Sequence, residues 1–217
     1  MPIVGIDEVQ FVVNDGPAAE DFLLRWGLAP VGDAAGKRYE CVDGSAVSFS
    51  VEADFDPAGS AFQNLAAVIW GVDEQGALEA LERDLARDRD IVRAADGTVF
   101  LTDALGLKIG LRLSRKRPIA ATPALFNTPG APVRIDQPAV FYDRALPQEI
   151  SHIVLGVVDH VAGEAFYRER LTSRIGMSAA GPSCGGPPSV RTTISLCSLT
   201  ARRSSITWPS KSATSMR

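Results

Sequence analysis

The chain of 217 residues has very little histidine and no acidic residue in its last part. It contains only 2 His, His152 and His160, and none of its 26 Asp and Glu residues lies beyond Glu169. The segment Ser178–Arg217 is made largely of Ser, Thr, Pro and Arg and lacks apolar periodicity, which is typical of an unfolded stretch. We therefore expect residues 178–217 to form a tail without fixed structure.

Other scarce features exclude several classes of protein. No apolar run approaches the ~20 residues that span a bilayer, and the N-terminus lacks the pattern of a signal peptide. The 3 cysteines, Cys41, Cys184 and Cys197, are scattered without metal-type spacing, which favours a reducing cytoplasm. A net charge of −4 gives no basis for nucleic-acid binding. We expect a cytoplasmic protein that binds neither nucleic acid nor a membrane. The sequence leaves open whether the chain forms a homo-oligomer.

The first part of the chain has the element order β-α-β-β. The apolar run Ile6–Val13 predicts a strand, and Asp15 can cap a helix that runs to Trp26. Gly27 ends this helix, and Tyr39–Val51 then reads as a hairpin with an Asp-Gly turn.

A second pass repeats this order. Leu65–Trp70 predicts a strand and Asp73–Arg87 a helix, followed by a hairpin through Thr98–Leu101 and the alternating strand Leu107–Leu113. The next segment, 116–148, carries six of the 14 prolines and little periodicity, so we interpret it as an extended connection between domains.

A third pass begins at Ile150 and matches the first at a constant offset of 144 residues. Any two β-α units share apolar and capping positions, but identities at one fixed register favour duplication. The matched pairs are Ile6 with Ile150, Val13 with Val157, Asp15 with Asp159, Glu20 with Glu164, and Phe22 with Phe166.

The third pass carries a family motif in Ile150–Asp159, followed by Phe166-Tyr167 and Leu171. Together with the repeated modules, it resembles the vicinal oxygen chelate superfamily of glyoxalases, bleomycin-resistance proteins and type I extradiol dioxygenases. The resemblance implies an α+β fold of paired βαβββ modules that form a curved mixed sheet. Two paired-module domains with a Pro-rich connection are most similar to the extradiol dioxygenases.

This resemblance also implies a division of the chain. Residues 1–115 would be a structural domain of paired modules without metal, and residues 116–148 the connection. Residues 149–177 would form the first half of a metal-site domain, so that the second domain is incomplete. The tail, 178–217, would follow it.

The resemblance implies an oxidoreductase that opens the ring of a small aromatic diol with O₂, as in aromatic compound degradation. In the family, two His and one Glu hold Fe(II), or sometimes Mn(II), and leave positions open for the diol and oxygen. His152 would be the first metal His. Glu8 lies at the same register in the first module, and Asn64 begins the second module's strand, which implies no metal there. His160 is interpreted as a solvated residue of a first helical turn.

Without the resemblance, His152 alone is ambiguous, because a single His at the start of an apolar strand is more often a hydrogen-bonded structural residue than a metal ligand. Both interpretations stay open at this point. No catalytic residue can be assigned from the sequence.

The remaining ligands of the family should follow residue 171, yet the chain has no later His or Glu. One explanation is a change of reading frame between residues 171 and 184. In a GC-rich gene, the nucleotides of Thr192–Arg217 read two bases out of phase can encode His-His-Leu-Ser and then Val-Asp-His-Met-Ala-Phe, which resemble the missing strands. The alternative is a natural disordered extension.

Three functions follow from these observations. The first is an extradiol-type dioxygenase whose metal site is broken in this chain, so that Fe(II) or Mn(II) is not retained. The second is a non-catalytic protein whose first domain binds a small hydrophobic ligand. The third is a glyoxalase-like metalloenzyme, against which the extra domain and the long connection argue.

Overall fold

The computed structural model describes residues 2–32, 37–119 and 144–171 with their side chains, and the backbone of three further short segments. Ten elements belong to the first two passes of the chain. They are β1 Ile3–Val13, α1 Gly16–Trp26, β2 Ala29–Val31, β3 Arg38–Glu40, β4 Ala46–Val51, β5 Leu65–Val72, α2 Gln75–Leu85, β6 Val92–Arg93, β7 Val99–Thr102 and β8 Lys108–Leu113.

The first eight strands form one mixed sheet in the order β2-β3-β4-β1-β5-β8-β7-β6. In each module the first strand runs parallel to the last, since β1 pairs with β4 and β5 with β8. The modules meet at the centre of the sheet, where β1 and β5 are antiparallel. This is the predicted α+β fold of paired βαβββ modules in one curved mixed sheet. The sequence analysis did not predict β2 and β6, which are the short edge strands.

The duplicated helix start has the same geometry in both copies. Asp15 Oδ1 accepts a hydrogen bond of 2.9 Å from the backbone N–H of Ala18 before α1. Asp159 Oδ1 accepts one of 2.9 Å from the N–H of Ala162. A carboxylate at this position satisfies a backbone donor that the first helical turn leaves without a partner. Gly27 ends α1 at φ 105°, a conformation that favours glycine.

The main core lies between one face of the sheet and helix α2. Trp70 is fully buried in it, and Leu78, Leu81 and Leu85 of α2 pack against it as their spacing predicts. The opposite, concave face of the sheet carries polar side chains instead. Glu8 and the residues that surround it lie on this concave face.

The third pass forms strand β9 and helix α3, and its backbone continues into three strands. These elements are β9 His152–Val157, α3 His160–Glu169, β10 Ile175–Gly176, β11 Ala179–Ala180 and β12 Thr192–Ser198. Strand β12 pairs antiparallel with β9. One helix and a small sheet are present where the first domain has two helices and eight strands, so the second domain is incomplete among the described residues.

The strand Thr192–Ser198 differs from the expectation of no fixed structure for residues 178–217. Its β-branched and apolar residues have high strand propensity, and β9 offers the edge with which they pair. Apart from Ala179–Ala180 and Thr192–Ser198, that segment lies outside the described residues, and for it the expectation stays a prediction.

Both described ends of the predicted connection meet at the turn between β3 and β4. The backbone N–H of Asp43 donates to the carbonyl of Gln148 over 2.9 Å, and that of Arg117 donates to the carbonyl of Asp43. Residues 120–143 of the connection lie outside the described part of the chain. Within the described residues, no helix combines the length and apolarity required to cross a membrane.

Candidate functional site

His152 lies at the first position of β9 with an exposed side chain. Its Nδ1 is 3.1 Å from the hydroxyl oxygen of Ser151. Leu155 and Val157 of the same strand are buried in the core. Because side chains alternate along a strand, His152 and the exposed Val154 face away from that core, onto the open face of the small sheet.

The described residues do not fit the metal site that the family implies. No group of three His, Cys, Asp or Glu side chains in the described part of the chain could hold a metal ion. His160 begins α3, as predicted for a residue of a first helical turn. Two His and one carboxylate are needed on one side of Fe(II) or Mn(II), and the sequence resemblance predicts His152 as one of them.

In the first module, the position equivalent to His152 is occupied by a buried carboxylate. Glu8 lies on β1 between two core residues, Ile6 and Val9, and its side chain points to the concave face. Its Oε1 accepts hydrogen bonds from Gln10 at 3.0 Å and from Ser48 at 2.7 Å. Its Oε2 accepts from two arginines.

Those arginines, Arg38 of β3 and Arg112 of β8, each lie 3.1 Å from Glu8 Oε2. Burial alone raises the pKa of Glu8, but the hydrogen bonds from Gln10 and Ser48 and the two guanidinium charges lower it overall. Glu8 therefore stays ionised and holds the two halves of the concave face together. Asn64 directly precedes β5, the second module's first strand, where a ligand His could lie. Its side-chain amide donates to the carbonyl of Val12 at 2.8 Å.

A cleft of about 680 Å³ opens over Glu8 on the concave face, and we call it the N-terminal cleft. Its lining is mixed, with charged groups at its floor and rim and apolar groups on part of its walls. A purely hydrophobic ligand, as the second predicted function has it, fits this lining less well than an amphipathic one, because buried charges prefer polar partners. The residues that line the cleft include Glu8, Ser48, Ile69, Phe100, Arg112 and Arg115.

Helix α3 is fixed to the first domain by a second buried polar contact. The hydroxyl of Tyr167 donates to Asp103 Oδ2 over 2.7 Å, and both groups are buried. Burial raises the pKa of Asp103, and burial and the Asp103 charge raise that of Tyr167 well above its usual value. The Arg89 guanidinium lies 4.5 Å from the centre of the Phe166 ring. These contacts hold α3 against the first domain.

The charged residues that surround Glu8 were not predicted from the sequence. Arg112 alternates with Leu111 and Leu113 in a strand that was predicted correctly, so its place on the polar face could have been inferred. Its pairing with Glu8 could not, because the two residues are 104 positions apart in sequence. No local sequence pattern marks Asp103 as a partner of Tyr167, because the two residues lie in different modules.

Comparison with models of protein families gives no match, and comparison with the sequences of curated proteins gives none either. Solved structures are similar in fold. A catechol 2,3-dioxygenase has 17% identity and a TM-score of 0.53 over 88% of this chain and 64% of its own. The 2,3-dioxygenase LapB from Pseudomonas sp. KL28 has 16% identity and a TM-score of 0.54 over 88% of this chain and 65% of its own.

A third similar structure is the 2,2',3-trihydroxybiphenyl 1,2-dioxygenase of a dibenzofuran-degrading Sphingomonas wittichii strain. It has 15% identity and a TM-score of 0.52 over 81% of this chain and 58% of its own. This chain thus spans somewhat less than two thirds of the length of the proteins it matches. At these identities the likeness establishes the fold alone, which agrees with the paired βαβββ modules that the sequence resemblance predicted.

Proposed function

We propose that the chain derives from an extradiol dioxygenase that opens the ring of catechol-type aromatic diols with O₂, and that its own metal site is incomplete. The observation that carries this proposal is the position of His152. It begins β9 on the open face of the second domain, at the register where the first module has Glu8 on its concave face. The fold of three dioxygenases supports the same function.

The proposal assigns residues 1–115 a structural role without metal. This assignment is supported by the arrangement of Glu8, whose oxygens are committed to Gln10, Ser48, Arg38 and Arg112. A carboxylate so engaged has no lone pair to offer a cation. His152 is the residue that we assign to Fe(II) or Mn(II) in the complete site.

We explain the lack of further ligands by a change of reading frame between residues 171 and 184. The test is the nucleotide sequence of the gene. We expect the alternative frame over codons 192–217 to be open and to encode two His and an acidic residue. A restored protein should then retain iron and consume O₂ when catechol is added. Stop codons in that frame, or an open frame without His, would show that the tail is a natural extension and contradict the proposal.

A second candidate function is the binding of a small molecule by the first domain without chemistry. The observation that favours it is the N-terminal cleft, because about 680 Å³ lies within the range of ordinary ligand pockets. Calorimetric titration of the chain with small ligands tests this function. Saturable binding by a chain that holds no iron would support it, and no binding by any ligand of the class argued below would contradict it.

A further inference from the structure

The N-terminal cleft combines buried charges with open space, and these charges determine which ligand it can take. The side chains of Glu8 and Arg112 on its floor are 6% and 5% exposed. Small side chains, among them Ser48, Ser50 and Ala66, line the middle of the sheet and leave the volume above them free. A ligand in this space would contact the floor directly.

The buried carboxylates at the floor of the cleft are already used by the protein. Both oxygens of Glu8 accept two hydrogen bonds each. Asp7, which lies below the floor, accepts from Arg112, from the hydroxyl of Ser114 and from the backbone N–H of Arg115. A carboxylate offers about four acceptor sites, so these two groups have almost none left.

The donors of the cleft are not used up. Arg112 donates from Nε to Asp7 at 3.2 Å and from Nη2 to Glu8 at 3.1 Å, and its Nη1 has no hydrogen-bond partner among the described residues. Arg115 donates from Nη2 to Asp96 at 3.1 Å, and its Nη1 and Nε also have none there. A guanidinium carries five N–H donors. The ligand must therefore supply acceptors, and a carboxylate matches two guanidinium groups best.

An apolar wall lies beside these donors. Phe100 lies on the concave side of β7, because its neighbours Val99 and Leu101 are buried in the core. A Cβ atom on Gly110 would lie 3.0 Å from Ile69 and 3.1 Å from the Phe100 ring, so both groups adjoin this glycine of β8, two residues from Arg112. A short apolar body would fit against this wall.

We propose that the N-terminal cleft is a binding site for a small organic carboxylate with a planar apolar body. Its carboxylate accepts hydrogen bonds from Nη1 of Arg112 and from Arg115, and its body lies against Phe100 and Ile69. This site is separate from the metal site of the second domain. It does not depend on the proposed dioxygenase ancestry, and it sharpens the binding function given above as the second candidate.

The test uses benzoate and its neutral analogue benzamide as probes of the full chain. Benzoate should bind saturably in calorimetric titration and shift the NMR signals of the Nε–H groups of Arg112 and Arg115. Benzamide should bind about tenfold more weakly, because hydrogen bonds to a charged acceptor are worth about 1.5 kcal/mol or more. Equal affinity for the two probes, or no saturable binding of benzoate, would overturn the proposal.

Two variants locate the site without changing a buried group. Arg115→Gln should weaken benzoate binding about tenfold, since it removes one charged donor. Ser50→Glu, at an exposed position of the cleft wall, should weaken it through charge repulsion. The matched control is Arg25→Gln, which removes the same charge from an arginine exposed on α1. An equal loss in the control, or full affinity in both cleft variants, would contradict the assignment.

Discussion

Glu8 shows how one buried carboxylate can link the strands of a sheet on the face opposite the hydrophobic core. It receives four hydrogen bonds, two of them from arginines that belong to different modules. A buried charge is tolerated only when it is paired and hydrogen-bonded in this way. The loss of any partner therefore leaves another charge uncompensated.

Glu8→Gln should lower the free energy of unfolding by about 3 kcal/mol at pH 7, because it leaves two arginines facing a neutral amide. The pKa of Glu8 is lowered from 4.5 in the folded chain. Its contribution is therefore present above pH 4.5 and lost as the pH falls through the lower folded value. Urea unfolding between pH 7 and pH 3 should show a smaller acid loss in Glu8→Gln than in the parent chain.

Glu52→Gln is the control for this series, because Glu52 is exposed. It should unfold as the parent chain does at every pH. If Glu8→Gln and the parent chain lose the same unfolding free energy between pH 7 and pH 3, Glu8 does not stabilise the fold through its charge.

Gly71 marks a close approach in the same network. A Cβ atom there would lie 2.4 Å from Asp7 Oδ1 and 2.7 Å from Ser114 Oγ. Gly71→Ala should cost about 1–3 kcal/mol, since Asp7 Oδ1 and the Ser114 hydroxyl that donates to it must both move. Gly76→Ala in α2 meets no atom within 4 Å and should stabilise by about 0.5 kcal/mol. Thermal unfolding of both variants compares them, and equal effects of the same sign would contradict the expected clash.

At the scale of elements, α1 and α3 are duplicates that differ in what covers them. Phe166 of α3 is buried and contacts Arg89, whereas its counterpart Phe22 of α1 is 58% exposed. Arg170 after α3 pairs with Asp84 of α2 and with Asp88, which follows α2. Helix α3 is thus held by packing, by the Tyr167 hydrogen bond and by ion pairs.

Phe166→Ala should therefore loosen α3 at a cost of about 3 kcal/mol, because it removes a buried ring and leaves a cavity. Phe22→Ala, at the equivalent exposed position, should cost less than about 1 kcal/mol. Limited trypsin digestion followed by mass spectrometry measures the release of α3 as cleavage at Arg168 and Arg170. Equal cleavage in the two variants would show that α3 is not held through Phe166.

The elements show which parts of this fold the sequence could predict. The helix α1, its Asp15 cap and its Gly27 terminus followed from local signals, and the structure confirms them. The edge strands β2 and β6 were missed, because strands of two or three residues are too short to show an alternation of apolar and polar side chains. The strand Thr192–Ser198 was missed because the expectation rested on the Ser-, Thr-, Pro- and Arg-rich composition of the whole segment 178–217. Its pairing with β9 is a tertiary contact that no local pattern contains.

At the scale of the whole molecule, the offset of 144 residues relates the first module of the first domain to the first module of the second. The register that places Glu8 on the concave face of the first domain places His152 on the open face of the second. The sequence could predict this correspondence, because it depends on alternation and on one cap. The ion pairs around Glu8 join distant strands, so these pairings could not be inferred from the sequence.

The metal content of the chain tests the central claim most directly. The full chain would be loaded anaerobically with Fe(II), desalted, and assayed for bound iron and for O₂ uptake with catechol. A single His ligand cannot retain Fe(II) in competition with water. We therefore predict far less than one iron per chain and no catechol-dependent O₂ uptake. One iron per chain, with O₂ uptake that His152→Ala abolishes, would contradict the account.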